Sequence, residues 1–91
     1  MRFRYYYDPE IGSTHIAKHG VSTDEIAEFF TEIGYFPYRR DDGSYEAYGK
    51  LHSGRCIEVA YRLLAKDILF IITAFDIENP IIREYVESQQ E

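Results

Sequence analysis

The run Ile68-Leu69-Phe70-Ile71-Ile72-Thr73-Ala74-Phe75 does most to limit what this chain can fold into. It carries no charge and almost no polar atom, and its apolar residues do not alternate. It is short, rich in β-branched and aromatic residues, and bounded by Lys66-Asp67 and Asp76. These features predict a central strand buried on both faces. Every other amphipathic segment has one apolar face in need of a partner, and such a strand supplies it.

The 91 residues suffice for one domain, spanning 1–91, around one core. A domain of this size buries only roughly 60–65% of its unfolded surface, so a partner or a homodimer would add to its stability. Cys56 is the sole cysteine and cannot close an internal disulfide, which fits a reducing cytoplasm. Arg2 and Arg4 lead into three tyrosines, which does not read as a signal peptide. The 68–75 strand is far too short to span a bilayer, so no membrane association is expected.

The net charge of −6 argues against a default nucleic-acid binder, because phosphate contacts need clustered Lys and Arg. The charge is uneven, however: −3 over residues 1–34, +2 over 35–66 and −5 over 67–91. The basic middle is either scatter over a solvated surface or the footprint of a site.

In chain order, Phe3 to Tyr7 reads as an edge strand. Asp8-Pro9-Glu10 then predicts a short helix, with Asp8 as N-cap and Pro9 at the first helical position, closing at His19-Gly20. A second helix opens at Ser22 with a capping box to Glu25, and Val21 and Ile26 are spaced as a hydrophobic staple. Its apolar stripe is Ile26, Phe29, Phe30 and Ile33, and Gly34 is expected to end it. Phe36 to Arg40 and Ser44 to Leu51 flank Asp42-Gly43, which predicts a two-residue type I′ hairpin with Arg39 opposite Glu46 and Tyr38 opposite Ala47. A three-residue loop, His52-Ser53-Gly54, leads to Arg55–Leu64 and pairs Ala47 with Val59, Gly49 with Ile57 and Tyr45 with Tyr61. Tyr48, Lys50, Glu58 and Arg62 then share the other face. Asn79-Pro80 starts a last helix with Ile81, Ile82, Tyr85 and Val86 on its apolar side, and the tail from Ser88 is expected to fray. The expected class is α+β, ordered β-α-α-β-β-β-β-α, an antiparallel sheet with the helices on one face and a shallow groove on the other.

Several residues carry candidate chemistry. Lys50, His52, Arg55 and Arg62 form a candidate phosphate cluster with His52 as acid or base. The plainer reading is a polar sheet face with Glu46 and Glu58 as partners. His15 and His19 have the i, i+4 spacing of a zinc pair, but no third ligand is near and no metal is expected. Eight tyrosines (Tyr5, Tyr6, Tyr7, Tyr35, Tyr38, Tyr45, Tyr48 and Tyr61) exceed the needs of a small core. They suit a protein interface better than RNA stacking. Cys56 reads as a small buried hydrophobe.

Tyr7-Asp8-Pro9-Glu10, Lys18-His19-Gly20-Val21-Ser22, Glu25 and Phe29 or Phe30 together resemble the N-terminal signature of the BrnT-type toxins. Those are small ribonucleases of type II toxin–antitoxin pairs with a RelE-like fold. Gly49, Gly54-Arg55, Ile71-Ile72-Thr73-Ala74 and Tyr85 are similar to later parts of the same family, so the resemblance runs along nearly the whole chain. It implies a cognate antitoxin as partner, RNA as a second one, and cleavage without metal or cofactor. Lys50 and Arg55 would hold phosphate, His52 or Tyr85 would move protons, and Arg62 would orient the groove. The chain departs from the family at Phe70 and Phe75, where arginines are usual, and at Ile81, where a glutamate is usual. Each lost donor at a developing charge is worth about 2.7–4 kcal/mol, so the departures imply weak or lost cleavage. The alternative is a non-catalytic binding or dimerisation module with the same fold.

Overall fold

The computed structural model describes residues 1–35 and 37–89; the strand start expected at Phe36 and the last two tail residues, Gln90 and Glu91, lie outside them. In chain order the elements are β1 (Arg2–Tyr5), β2 (Tyr7–Asp8), β3 (Ser13–Thr14), α1 (His15–Lys18), α2 (Thr23–Thr31), β4 (Tyr38–Arg39), β5 (Tyr45–Lys50), β6 (Cys56–Ala65), β7 (Ile68–Asp76) and α3 (Pro80–Gln89). Five strands form one sheet in the order β1-β7-β6-β5-β4. The fold is α+β and mostly antiparallel; the exception is β1, which runs parallel to β7 with Arg4 beside Phe70.

Alternation along β5 and β6 decides which face is buried. Ala47 pairs with Val59, Gly49 with Ile57 and Tyr45 with Tyr61, the expected register. Their face meets Ile16 of α1 and Ile26, Phe29 and Phe30 of α2 in the main core, with Leu69, Ile71 and Ala74 from β7. The capping box is present: Ser22 Oγ accepts from Glu25 N–H and Glu25 Oε1 accepts from Ser22 N–H. Val21 and Ile26 are both buried in the core, as a staple requires. Gly20, at φ +72°, ends α1: Gly20 N–H donates to Ala17 O and Val21 N–H to Ile16 O, a Schellman closure.

Five expectations need correction. Asp8-Pro9-Glu10 forms a turn and not a helix start. Asp8 Oδ1 accepts from Glu10 N–H, its carbonyl accepts from Ile11 and Gly12, and the small β2–β3 hairpin follows, so α1 begins only at His15. An Asx turn competes with an N-cap for the same side chain, and left-handed Gly12 settles the competition. The hairpin at Asp42-Gly43 has three loop residues. Arg40 pairs with Ser44, Gly43 N–H donates to Arg40 O, and Gly43 sits at φ +88°. A type I′ loop would need Asp42 at positive φ as well, and Asp42 does not adopt it. Tyr38 therefore faces Glu46 and Arg39 faces Tyr45, one residue from the expected pairing. The loop before β6 repeats the geometry, with Gly54 at φ +95°.

The remaining corrections concern β7, α2 and α3. β7 is not buried on both faces: Leu69, Ile71 and Ala74 are buried, whereas Phe70, Ile72, Thr73 and Phe75 are half-buried. A bulge leaves Ile72 unpaired between Thr73, opposite Ala60, and Ile71, opposite Tyr61, which breaks the simple alternation. α2 stops at Thr31, before Gly34. Finally, the helices do not share a face. α3 packs on the far side, where Val86 meets Cys56 and Ile77, with Tyr48 and Ile82 against them. It remains helical through Ser88 and Gln89.

Candidate functional site

Arg55 immediately precedes β6 and turns its guanidinium back onto the fold. Nε donates to Asp76 Oδ1 at 2.6 Å and Nη2 to Asp76 Oδ2 at 3.3 Å. Nη1 reaches both carboxylate oxygens of Glu25 at 3.0 and 3.1 Å and the Gly20 carbonyl at 2.9 Å. Nη2 also reaches the His19 carbonyl. The guanidinium thus ties the end of β7, the capping box of α2 and the two carbonyls that follow α1 into one brace. Hydrogen bonding from Arg55 holds the Asp76 carboxyl below its ordinary range. These donors are committed to the fold, so Arg55 is a brace and not the open phosphate ligand the sequence suggested.

The other expected site residues do not converge on it. Lys50 and His52 line one hollow with Glu32, Ile33, Gly34, Leu51 and Gln89. His52 Nε2 lies 3.4 Å from Glu32 Oε1, and the His52 N–H donates to Glu28 Oε2. Tyr85 stands on α3 over a different groove. Arg62 is held at the β4–β5 hairpin, where Nη1 donates to the Asp42 carbonyl and Nη2 lies 3.6 Å from Asp42 Oδ2. Seven residues of strand separate it from Arg55, about 23 Å. Only Lys50 and His52 come together.

The face away from α1 and α2 has an organisation of its own. Beside α3 lies an apolar groove of about 460 Å³, lined by Pro37, Tyr38, Tyr48, Ile81, Ile82, Tyr85 and Val86. Ile81 is 77% exposed and Tyr85 55%, and they stand one helical turn apart. At the groove's edge Tyr38 of β4 and Tyr48 of β5 stack at 5.9 Å; the Tyr38 hydroxyl donates to Glu46 Oε2 at 2.9 Å and lies 2.9 Å from the Tyr48 hydroxyl. Burial pushes the Tyr48 hydroxyl far above its ordinary value, helped by its bond to Tyr38. Glu58 is paired across from Tyr48, and its carboxyl is pushed up to about 7 by burial first and by the charge and hydrogen bond of Glu46 second. The neighbouring Glu46 charge thus favours the protonated form of Glu58 at the groove's edge.

Beyond them runs a basic row that sequence reading missed. Arg40 pairs with Ser44, Arg62 with Phe70, and Phe70 with Arg4. The alternation puts Ser44 across from Arg62, since Tyr45 faces Tyr61. Phe3, Tyr5, Leu69 and Ile71 belong to the helix-side core, which turns Arg4 and Phe70 to the open face. No local signal reveals this row, because it depends on β1 lying parallel to β7.

At the β1–β7 edge, His15 Nδ1 meets Asp8 Oδ2 at 3.2 Å, and the rings of Tyr6, His15, His19 and Phe75 follow one another at 5.4–5.9 Å. The histidine pair makes a ring contact there. Among the described residues no three His, Cys, Asp or Glu side chains converge as metal ligands, and no helix is long and apolar enough to cross a membrane. Burial raises the Cys56 thiol above its ordinary value, which keeps it in the inert thiol form. No protein-family model matches the chain, and a comparison with curated proteins returns no match.

Proposed function

We propose that the protein is a partner-binding module whose open face receives an amphipathic helix of a cognate protein, in the place of the antitoxin that the BrnT-type, RelE-like resemblance implies. The supporting observation is the α3 groove, where Ile81 and Tyr85 stand exposed over an apolar hollow. A helix-in-groove partner reads such a surface with anchors spaced one turn apart. The abundance of tyrosine around it is typical of a protein interface. The test is calorimetry with the product of the adjacent reading frame. Ile81→Asp should weaken the complex at least a hundredfold while the melting temperature stays within about 2 °C. Undiminished affinity in that variant, or no complex with wild type, would refute the reading.

A second reading, metal-independent RNA cleavage, draws on Lys50 and His52 sharing a hollow. Against it stand the committed donors of Arg55 and the apolar rings at Phe70 and Phe75. A single-turnover assay on mixed-sequence RNA without metal should show no cleavage above background. Robust cleavage that Lys50→Ala and His52→Ala both abolish would put catalysis first. Arg55→Ala is unsuited to this test, because it removes the brace.

A further inference from the structure

The open face is graded in charge. Next to α3 it is apolar. One row further stand the carboxyls of Glu46 and Glu58, and the row beyond carries Arg40, Arg62 and Arg4 around Phe70. We propose that this arginine row takes up carboxylates of the same partner helix, so that the partner is apolar at one end and acidic at the other. The inference rests on the groove reading and specifies the chemistry of its occupant.

The geometry sets the spacing. Adjacent strands lie about 4.8 Å apart, so Arg4 and Arg40, four strand steps apart, span roughly 19 Å. From Glu58 at the groove's edge to Arg62 is four residues of strand, about 13 Å. A helix covers that distance in about nine residues. The row is also open to new partners. Arg4 is exposed and has no ion pair among the described residues. Arg40 reaches Glu46 at 3.5 Å and Arg62 reaches Asp42 at 3.6 Å, and both guanidiniums are about two-fifths exposed. Exposed pairs at such distances contribute only about 0–1 kcal/mol, so an incoming carboxylate competes with them readily.

RNA fits the gradient poorly. It would bring charge along the whole face and set phosphates against Glu46 and Glu58, on a chain of net charge −6. A peptide with its carboxylates at one end matches the order of cation row, carboxyl pair and apolar groove. Phe70 lies between two of the arginines and offers a flat apolar surface for the stem of a glutamate.

The test uses three fluorescent probes at low and moderate salt: a sixteen-residue helical peptide with Leu and Tyr in its first half and Glu in its second, the same peptide with Lys for Glu, and a single-stranded RNA 12-mer. The glutamate peptide should bind at least tenfold tighter than the lysine peptide. Arg4→Glu with Arg62→Glu should reverse that preference, and Ile81→Asp should weaken both peptides equally. Equal binding of the two peptides, still sensitive to Ile81→Asp, would overturn the arginine row and leave the groove reading standing. Tighter binding of RNA than of the glutamate peptide, lost in the double variant, would overturn it in favour of a nucleic-acid site. Failure of both peptides to bind would sink both inferences.

Discussion

Replacing Glu58 by Gln should stabilise the protein above neutral pH and leave it unchanged in mild acid. In the folded state the Glu58 carboxyl is pushed from the ordinary 4.5 up to about 7, mainly by burial and then by Glu46. The folded protein therefore holds a proton that the unfolded chain releases between these values. A group whose folded pKa is raised contributes stability below the unfolded value and loses it as pH rises through the folded one. The shift alone would set a ceiling of roughly 3.4 kcal/mol. Because the carboxyl is only half-buried, solvent screening brings this down to about 1–2 kcal/mol. An amide keeps a hydrogen bond to Glu46 and never ionises, so Glu58→Gln should gain that amount at pH 8 and nothing at pH 4.5. Urea unfolding followed by circular dichroism at pH 4.5, 6, 7 and 8 measures it, and the difference between the proteins at each pH cancels every other titrating group. Below about pH 4 both should lose stability together, because Asp42 and Asp76 have lowered pKa values and must take up protons. A difference that stays constant across the range would refute the raised pKa of the Glu58 carboxyl.

Two further perturbations probe the other face. Phe29 is fully buried, and a Cβ on Gly49 would sit 2.8 Å from its Cε2, so ring and glycine form one contact. Phe29→Ala should cost about 3–5 kcal/mol by urea unfolding and Gly49→Ala about 1–3, with Phe29→Leu recovering part of the latter; additive losses would mean that the two do not touch. Arg55→Ala should cost about 2–3 kcal/mol, because Glu25, Asp76 and two carbonyls lose a charged donor together. Arg55→Lys should recover little, since an ammonium lacks the planar fork, and full recovery would make the brace a simple charge effect.

Where a feature is set by neighbouring residues, it was legible in the sequence. Ser22 and Glu25 cap α2 because both partners lie within four positions. Gly20 closes α1, and the β5–β6 register follows from one glycine loop and strict alternation. The β4–β5 register failed by one residue because Asp42-Gly43 fits both a two-residue and a three-residue loop, and only the backbone angle of Asp42 separates them. Asp8 failed for a similar reason, since an N-cap and an Asx turn begin with the same side chain. The candidate site was largely illegible. Arg55 reads as a free cation until Glu25, Asp76 and the end of α1 are brought to it from three other segments. Arg62 meets Phe70 across the neighbouring β6–β7 pair, but Arg4 joins them only through a parallel pairing across more than sixty residues, and no local pattern encodes such a pairing.

The two faces of the sheet therefore have separable duties. Among the described residues, thirteen buried ones of the main core lie on the helix side, whereas Cys56, Ile77 and Val86 form the buried cluster under α3. Most of the stabilisation comes from the first side, at about 1.5–3 kcal/mol for each large buried side chain. The open face is left with groups that such a core would not tolerate: the neighbouring carboxyls of Glu46 and Glu58, half-exposed arginines and an exposed isoleucine. Phe70 belongs to that face and is only half-buried, so core packing does not account for it, whereas the half-buried Phe75 ring meets His19 at 5.7 Å. An apolar ring at Phe70, where the resembling toxins carry an arginine, weakens a phosphate site, but beside Arg4 and Arg62 it adds contact area to a protein-binding one. The same position that argues against cleavage thus argues for a partner, and substitutions on this face can test binding without threatening the fold.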